Sequence, residues 1–152
     1  MSRQVDSAVI FIARVALSLL FLWGGIEKAI GYAGFVAYLQ AKHVPLVLVA
    51  APIATVVEIL GGMLLIVGFL TKPLGPAMAA FTLLSGVLGH DFWNALDPAM
   101  RHAEMIQFCE NVCIAGGFLL LLVTGAGAIS IDAVRVAKPR LLEPHEQKDV
   151  TS

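Results

Sequence analysis

The chain has 152 residues, of which 59% are hydrophobic and 14% are Asp, Glu, Lys or Arg, against about 45–50% and about 25% in soluble domains. A mean hydropathy of +0.86 excludes a disordered chain and argues against a soluble monomer. Lys and Arg number 10 against 11 Asp and Glu, with no basic block to track phosphates, which excludes nucleic acid as a partner.

A helix that spans a bilayer takes about 20 residues, and four apolar blocks of that length follow one another in a single domain. The first runs from Ser7 to Ile30, broken by Arg14, Glu27 and Lys28. Met1 to Val9 carries an early Arg3 but no cleavage signature, so this block is expected to be retained. Next, Gly31 to Val44 holds Phe35, Tyr38, Leu39, Lys42 and His43, the pattern of a short helix lying at the membrane interface. The second block, Pro45 to Leu70, has one acid, Glu58. A tight turn, Thr71-Lys72-Pro73, opens the third, which stays free of formal charge until Asp91 and ends at Trp93. His90 to His102 reads as a polar, aromatic loop, and the fourth block, Ala103 to Val123, carries Glu104 and Glu110.

Lipid cannot satisfy open backbone groups, and these blocks lack the alternation of barrel strands. The fold class expected is therefore all-α: an integral membrane four-helix bundle, with a short interfacial helix between helices one and two. Residues 1–130 form the membrane domain. Residues 131–152, with Pro139 and Pro144, form a polar cytoplasmic tail.

Cation counting sets the orientation. Arg3, Lys72, Arg135, Lys138, Arg140 and Lys148 fall on one side, and Lys28, Lys42 and Arg101 on the other. Both termini are therefore expected in the cytoplasm. The second block (Glu58…Gly61-Gly62…Gly68) and the fourth (Glu110…Gly116-Gly117…Gly125) echo each other. Duplication of a helical hairpin and shared composition both account for the echo.

A charge at the bilayer centre costs about 2.5–3.5 kcal/mol, so each one needs a partner, a cavity or a function. Along the helix axis Arg14 lies roughly 10 Å and Glu58 roughly 18 Å from the cytoplasmic end, and a structural ion pair Arg14–Glu58 is the simplest expectation. At the other end Glu27, Lys28, His90, Asp91, Glu104, Gln107, Glu110 and Asn111 project to a similar depth. They are expected to converge on a polar pocket walled by Trp23, Phe92, Trp93 and Phe108, with Glu110 buried against Lys28. Among these residues, Glu27, Asp91 and Glu104 more often read as solvated at helix ends. Met105, Cys109 and Cys113 recur at a spacing of four, which suits soft metal ligation but more often marks core packing. No metal site, phosphate loop or disulfide framework is expected.

Together these residues resemble the DoxX family of small bacterial membrane proteins. The features are Arg14, Phe21-x-x-Gly24-Gly25-x-x-Lys28, Phe35-x-x-Tyr38 with Pro45, Glu58-x-x-Gly61-Gly62, Gly68-x-x-Thr71, and Asn111 followed by Gly116-Gly117, Gly125-x-Gly127 and Ser130-Ile131-Asp132. The resemblance spans about residues 8 to 133. It implies a four-helix inner-membrane bundle and, through relatives that serve a thiosulfate:quinone oxidoreductase or oxidative-stress complexes, quinone-linked redox chemistry. Many relatives place Lys where this chain has Glu110, which reverses a charge in the expected pocket.

Three functions follow. The first is a membrane subunit of a quinone-linked oxidoreductase, not active alone. In it His90 and Glu110 are catalytic proton carriers, and Lys28, Asn111 and Trp93 hold the quinone. No flavin, haem or iron–sulfur motif identifies a cofactor in the chain, so electrons require a protein partner subunit. The second is a non-enzymatic accessory or scaffold subunit, contacting the lipid bilayer and a partner or further copies of itself. The third, a small oligomeric transporter or channel, ranks last, because four helices are few for a pathway.

Overall fold

The computed structural model of the protein describes residues 3–140. They form six helices: α1 (Arg3–Ile30), α2 (Tyr32–Ala41), α3 (Val47–Val67), α4 (Thr71–Gly89), α5 (Pro98–Thr124) and α6 (Ile131–Arg140), with a short 3₁₀ turn at Phe92–Asn94. Local chemistry sets several of these limits. Gly68 takes a left-handed φ of 67° and ends α3, its N–H and that of Phe69 bonding back to the carbonyls of Leu65 and Leu64. Asp97 caps α5 by accepting the Met100 N–H at 2.8 Å, and Pro98 occupies the first helical position. Helix α5 therefore starts within the segment expected to be a loop up to His102.

Helix α1 lies along α3, and α4 along α5. One apolar core, built from Phe21, Leu65, Met78, Ala79, Ala115, Phe118 and Leu121, joins these four long helices. Phe21 meets Phe118 edge-on at 5.2 Å. In lipid, such packing rests on close approach rather than on the hydrophobic effect. At Gly61 a Cβ would strike the Met78 sulfur, and at Gly62 it would strike Leu22, so α3 sits tight against both neighbours. The echo in α5 packs differently, since a Cβ on Gly116 would meet open space.

A second cluster, Leu39, Val44 and Ala51 with Leu88, holds α2 across one end of the bundle. Three helices, α1, α3 and α5, are long and apolar enough to cross a membrane. Helix α4 has 19 residues, with Lys72, Pro73 and Pro76 in its first two turns. The outward faces carry large apolar side chains such as Ile12, Leu20, Ile53 and Leu120, the surface that lipid would wet.

The end opposite α2 is closed. Arg14 is fully buried there. Its guanidinium donates to the Leu65 carbonyl at 3.1 Å and to the Ile129 carbonyl. The expected Arg14–Glu58 pair does not form. The Leu65 carbonyl, near the end of α3, already accepts the Gly68 N–H and has a second lone pair within reach of Arg14. A Cβ on Gly68 would fall on the Arg14 Nη1.

Residues from Ile131, expected to be a polar tail, begin as helix α6, which is tied to the α3–α4 turn. The Asp132 carboxylate accepts the N–H groups of Leu70 and Thr71, each at 2.8 Å, and its own N–H donates to Gly68 O. Helix α4 has no capping side chain of its own, so Asp132 caps it from another element. Burial disfavours the Asp132 carboxylate, but the two backbone donors outweigh it and hold its pKa below the usual range. The rest of the expected tail, 141–152, lies outside the described residues.

Candidate functional site: a cavity between the helices

At the α2 end the helices part around a cavity of about 520 Å³, a size that suits a small organic molecule. Helix α1 contributes Phe21, Gly24 and Lys28, and α3 contributes Ala54 and Glu58. Phe81, Ser85 and Gly89 of α4 form a third wall. Gln107, Glu110, Asn111 and Ile114 of α5 share one helical face and form the fourth. Helix α2 covers the end with Phe35 and Tyr38.

The ionic centre is Lys28 Nζ, 2.7 Å from Glu58 Oε2. Glu58 is buried, packed where Gly24 and Gly25 let α3 approach α1, and its carboxylate ends within 3.4 Å of a notional Cβ at Gly24. That position is one helical turn from Lys28, which is why Glu58 meets Lys28 and not Arg14. The ammonium also lies over the Phe35 ring, 5.4 Å from its centroid, and keeps three donors to distribute. Tyr38 OH donates to the Gly89 carbonyl at 2.8 Å and fastens α2 to the end of α4.

Outside the cavity rim Lys42 bridges two acids: Asp91 Oδ1 at 2.6 Å and Glu104 Oε1 at 3.1 Å. Glu104 also meets His90 Nδ1 at 2.9 Å. Burial works against the Lys42 ammonium, but its hydrogen bonds to Asp91 and Glu104 outweigh that and raise its pKa. The hydrogen bond from Lys42, aided by one from Asn94, lowers that of Asp91.

Of the residues expected to converge, Lys28, His90, Gln107, Glu110 and Asn111 do line one cavity. Glu110 differs in detail. It is exposed at the edge of that cavity and has no hydrogen bond or ion pair among the described residues. The partner expected for it, Lys28, is engaged by Glu58. The aromatic walls also differ. Trp23 is 67% exposed on the outer face of α1. Trp93, on the 90–97 loop, packs against Phe92 and Phe108 at 5.0 and 6.0 Å and does not line the cavity. Its indole belongs to a loop cluster that braces the start of α5. The cavity aromatics are instead Phe21, Phe35, Tyr38 and Phe81.

Asp91 and Glu104 are not separately solvated, as they share Lys42, while Glu27 is exposed as expected. The sequence reading missed Glu58 and Lys42 as members of this region. The available signal for Lys42 was its place four residues after Tyr38, one turn along the same face of α2. Cys109 and Cys113 are both exposed. With Met105 they line a shallow groove on the outer face of α5, outside the core. Among the described residues no cluster of three or more His, Cys, Asp or Glu side chains is placed to hold a metal ion.

Comparison with known proteins decides the family. The family model for DoxX matches residues 9–91, over half of the chain, and takes in Arg14, Lys28, Glu58 and His90. The chain belongs to the DoxX family. It is 41% identical over 124 residues to the inner membrane protein YphA of Escherichia coli (strain K12), covering 82% of this chain and 88% of that protein. It is also 36% identical over 130 residues to the inner membrane protein YqjF of the same organism, covering 86% and 94%. No solved structure matches. With both relatives named as inner membrane proteins and three apolar spanning helices present, this DoxX protein is an integral membrane protein.

Proposed function

We propose that this DoxX protein is a bacterial inner-membrane subunit that binds a quinone-class amphiphile between its helices and serves a redox partner. Helix α4 acts as the fourth span, because it runs beside α5 and contributes Met78 and Ala79 to the shared core. Both termini then lie on one side, and the excess of cations there favours the cytoplasm.

The observation that carries this reading is the cavity: ring-sized, walled by Phe21, Phe35 and Phe81, with Lys28, Glu58, His90 and Glu110 in its lining. A flat headgroup suits the aromatic walls, and an isoprenoid tail suits the apolar helix faces outside. Lys28 and Asn111 hold carbonyl oxygens. His90 and Glu110 take up protons. Oxidation of a quinol to a quinone releases two electrons and two protons. The protons pass to these side chains, and the electrons pass to a redox centre on a partner subunit.

Native mass spectrometry of the protein extracted in mild detergent tests the reading. The expected result is a bound quinone-class mass that disappears in Ser85→Phe, which fills the cavity. A protein that carries no such mass, or a Ser85→Phe variant that keeps it, overturns the reading. If a stable protein partner co-purified in that case, the accessory-subunit role would take its place.

A further inference from the structure

Within the cavity, donors and acceptors are unequally committed. Tyr38 gives its hydroxyl proton to Gly89 O, Lys28 serves Glu58 and Gly24 O, and the Asn111 amide nitrogen donates to Gln107 O at 3.1 Å. Donors remain, among them the third Lys28 N–H and the second Asn111 N–H, and so do acceptors. Glu58 Oε1, Asn111 Oδ1 and both Glu110 oxygens take no hydrogen bond among the described residues. Glu110 also occupies a particular place. It lines the cavity on one side and, on the other, the groove holding Met105, Cys109 and Cys113 on the outer face of α5. It therefore stands where the cavity meets the bilayer. At the thirteenth residue of the 27-residue α5 it lies about 18 Å along the helix, near mid-span, where an unsatisfied carboxyl is costly.

We infer that the cavity selects the reduced, hydroxyl-bearing form of its ligand over the oxidised form, with Glu110 as the residue that makes the choice. This rests on the reading of the cavity as a quinone-class site. A quinone head brings only acceptors, which Lys28 and Asn111 can serve but which leave the Glu110 oxygens without a donor. A hydroquinone head brings two O–H donors, and Glu110 has an oxygen ready for one of them in either protonation state. A head that leaves an acceptor unpaired in a desolvated site is rejected more strongly than one that merely lacks apolar contact.

The test uses the full chain in nanodiscs of neutral phospholipid, titrated calorimetrically without oxygen. The probes are decylhydroquinone, its dimethyl ether and decylbenzoquinone, which share ring and tail and differ in donors. Decylhydroquinone is expected to bind about tenfold more tightly than the ether or the quinone. Glu110→Leu is expected to erase that margin, and Glu110→Gln, which retains one acceptor oxygen, to keep part of it. Glu110 has no partner within the fold, so both variants are expected to fold, which their thermal melts check. Equal binding of the hydroquinone and its ether, or a margin that survives in Glu110→Leu, overturns this inference and leaves the cavity reading intact. Failure of all three probes to bind overturns both.

Discussion

The two ends of the bundle handle buried charge in opposite ways. At the closed end Arg14 and Asp132 are both held by backbone: the Arg14 Nη groups by the carbonyls of Leu65 and Ile129, the Asp132 carboxylate by the N–H groups of Leu70 and Thr71. Backbone acceptors and donors are part of the walls, so they hold the elements directly together, and the open space at this end is a groove beside Asp132, between Lys72 and Ala128. At the cavity end the charges are satisfied by other side chains, Lys28 by Glu58 and Lys42 by Asp91 and Glu104. There α1 and α3 touch through Gly24 and Gly25, and about 520 Å³ stays open between that pair and α4 and α5. One end is a clamp and the other a site.

If that division is right, the largest loss comes from removing the clamp. Arg14→Leu takes the charged donor from the buried Leu65 carbonyl and the partly buried Ile129 carbonyl, at about 1.5–3 kcal/mol for each hydrogen bond. We expect a destabilisation of roughly 3–5 kcal/mol in denaturation from detergent micelles. Arg14→Lys is expected to recover little, because a single ammonium does not reproduce the fork that spans both carbonyls. Wild-type stability in Arg14→Leu would show that the closed end is held by packing alone.

The next effect belongs to the cavity end. Lys28→Met leaves Glu58 buried without its cation and is expected to cost about 3 kcal/mol. The double variant Lys28→Met/Glu58→Leu is expected to regain most of it, since replacing a buried pair by apolar groups is often near neutral. Recovery of stability with loss of ligand binding would separate the role of the pair in the site from its role in the fold.

The sequence made the helical architecture legible, because apolar runs of spanning length admit few alternatives. It also put Lys28, His90, Gln107, Glu110 and Asn111, with Glu27, Asp91 and Glu104, in the same half of the bundle, since rise per residue converts position into height. It did not give azimuth. Arg14 and Glu58 lie close in height, yet rotation about α1 and α3 directs one toward the end of α3 and the other toward Gly24. Trp93 was misplaced for a related reason: a loop residue has no helical phase from which its direction can be read. Asp132 stood in a recognisable motif, but capping a helix 60 residues earlier in the chain is a tertiary fact that no local rule contains.

Asp132 gives the third prediction. Asp132→Ala removes the cap of α4 and the anchor of α6, with an expected loss of about 1–2 kcal/mol at neutral pH. The folded-state pKa of Asp132 is depressed, so its contribution is present above the ordinary Asp value of about 4 and is lost as pH falls through the folded value. The gap between wild type and variant, followed by unfolding across that range, is expected to close on acidification. A constant gap would mean that the side chain acts through packing.

The smallest effect sharpens the contrast. Lys42 is partly exposed, and its two ion pairs are expected to contribute only about 1 kcal/mol. Its own raised pKa keeps that contribution present below the ordinary Lys range and removes it only as pH rises through the folded value. The lowered pKa of Asp91 removes it at the acid end. Across neutral pH the contribution is therefore flat, and salt is the variable that exposes it. Hydrogen exchange of the α2 amides in the wild type is expected to quicken as salt is raised. In Lys42→Met it is expected to be fast at all salt concentrations, while α6 is unmoved in both proteins. If α2 exchange does not respond to salt, the apolar contacts of Leu39 and Val44 alone hold the cover over the cavity. The charged residues there would then serve the ligand and not the fold.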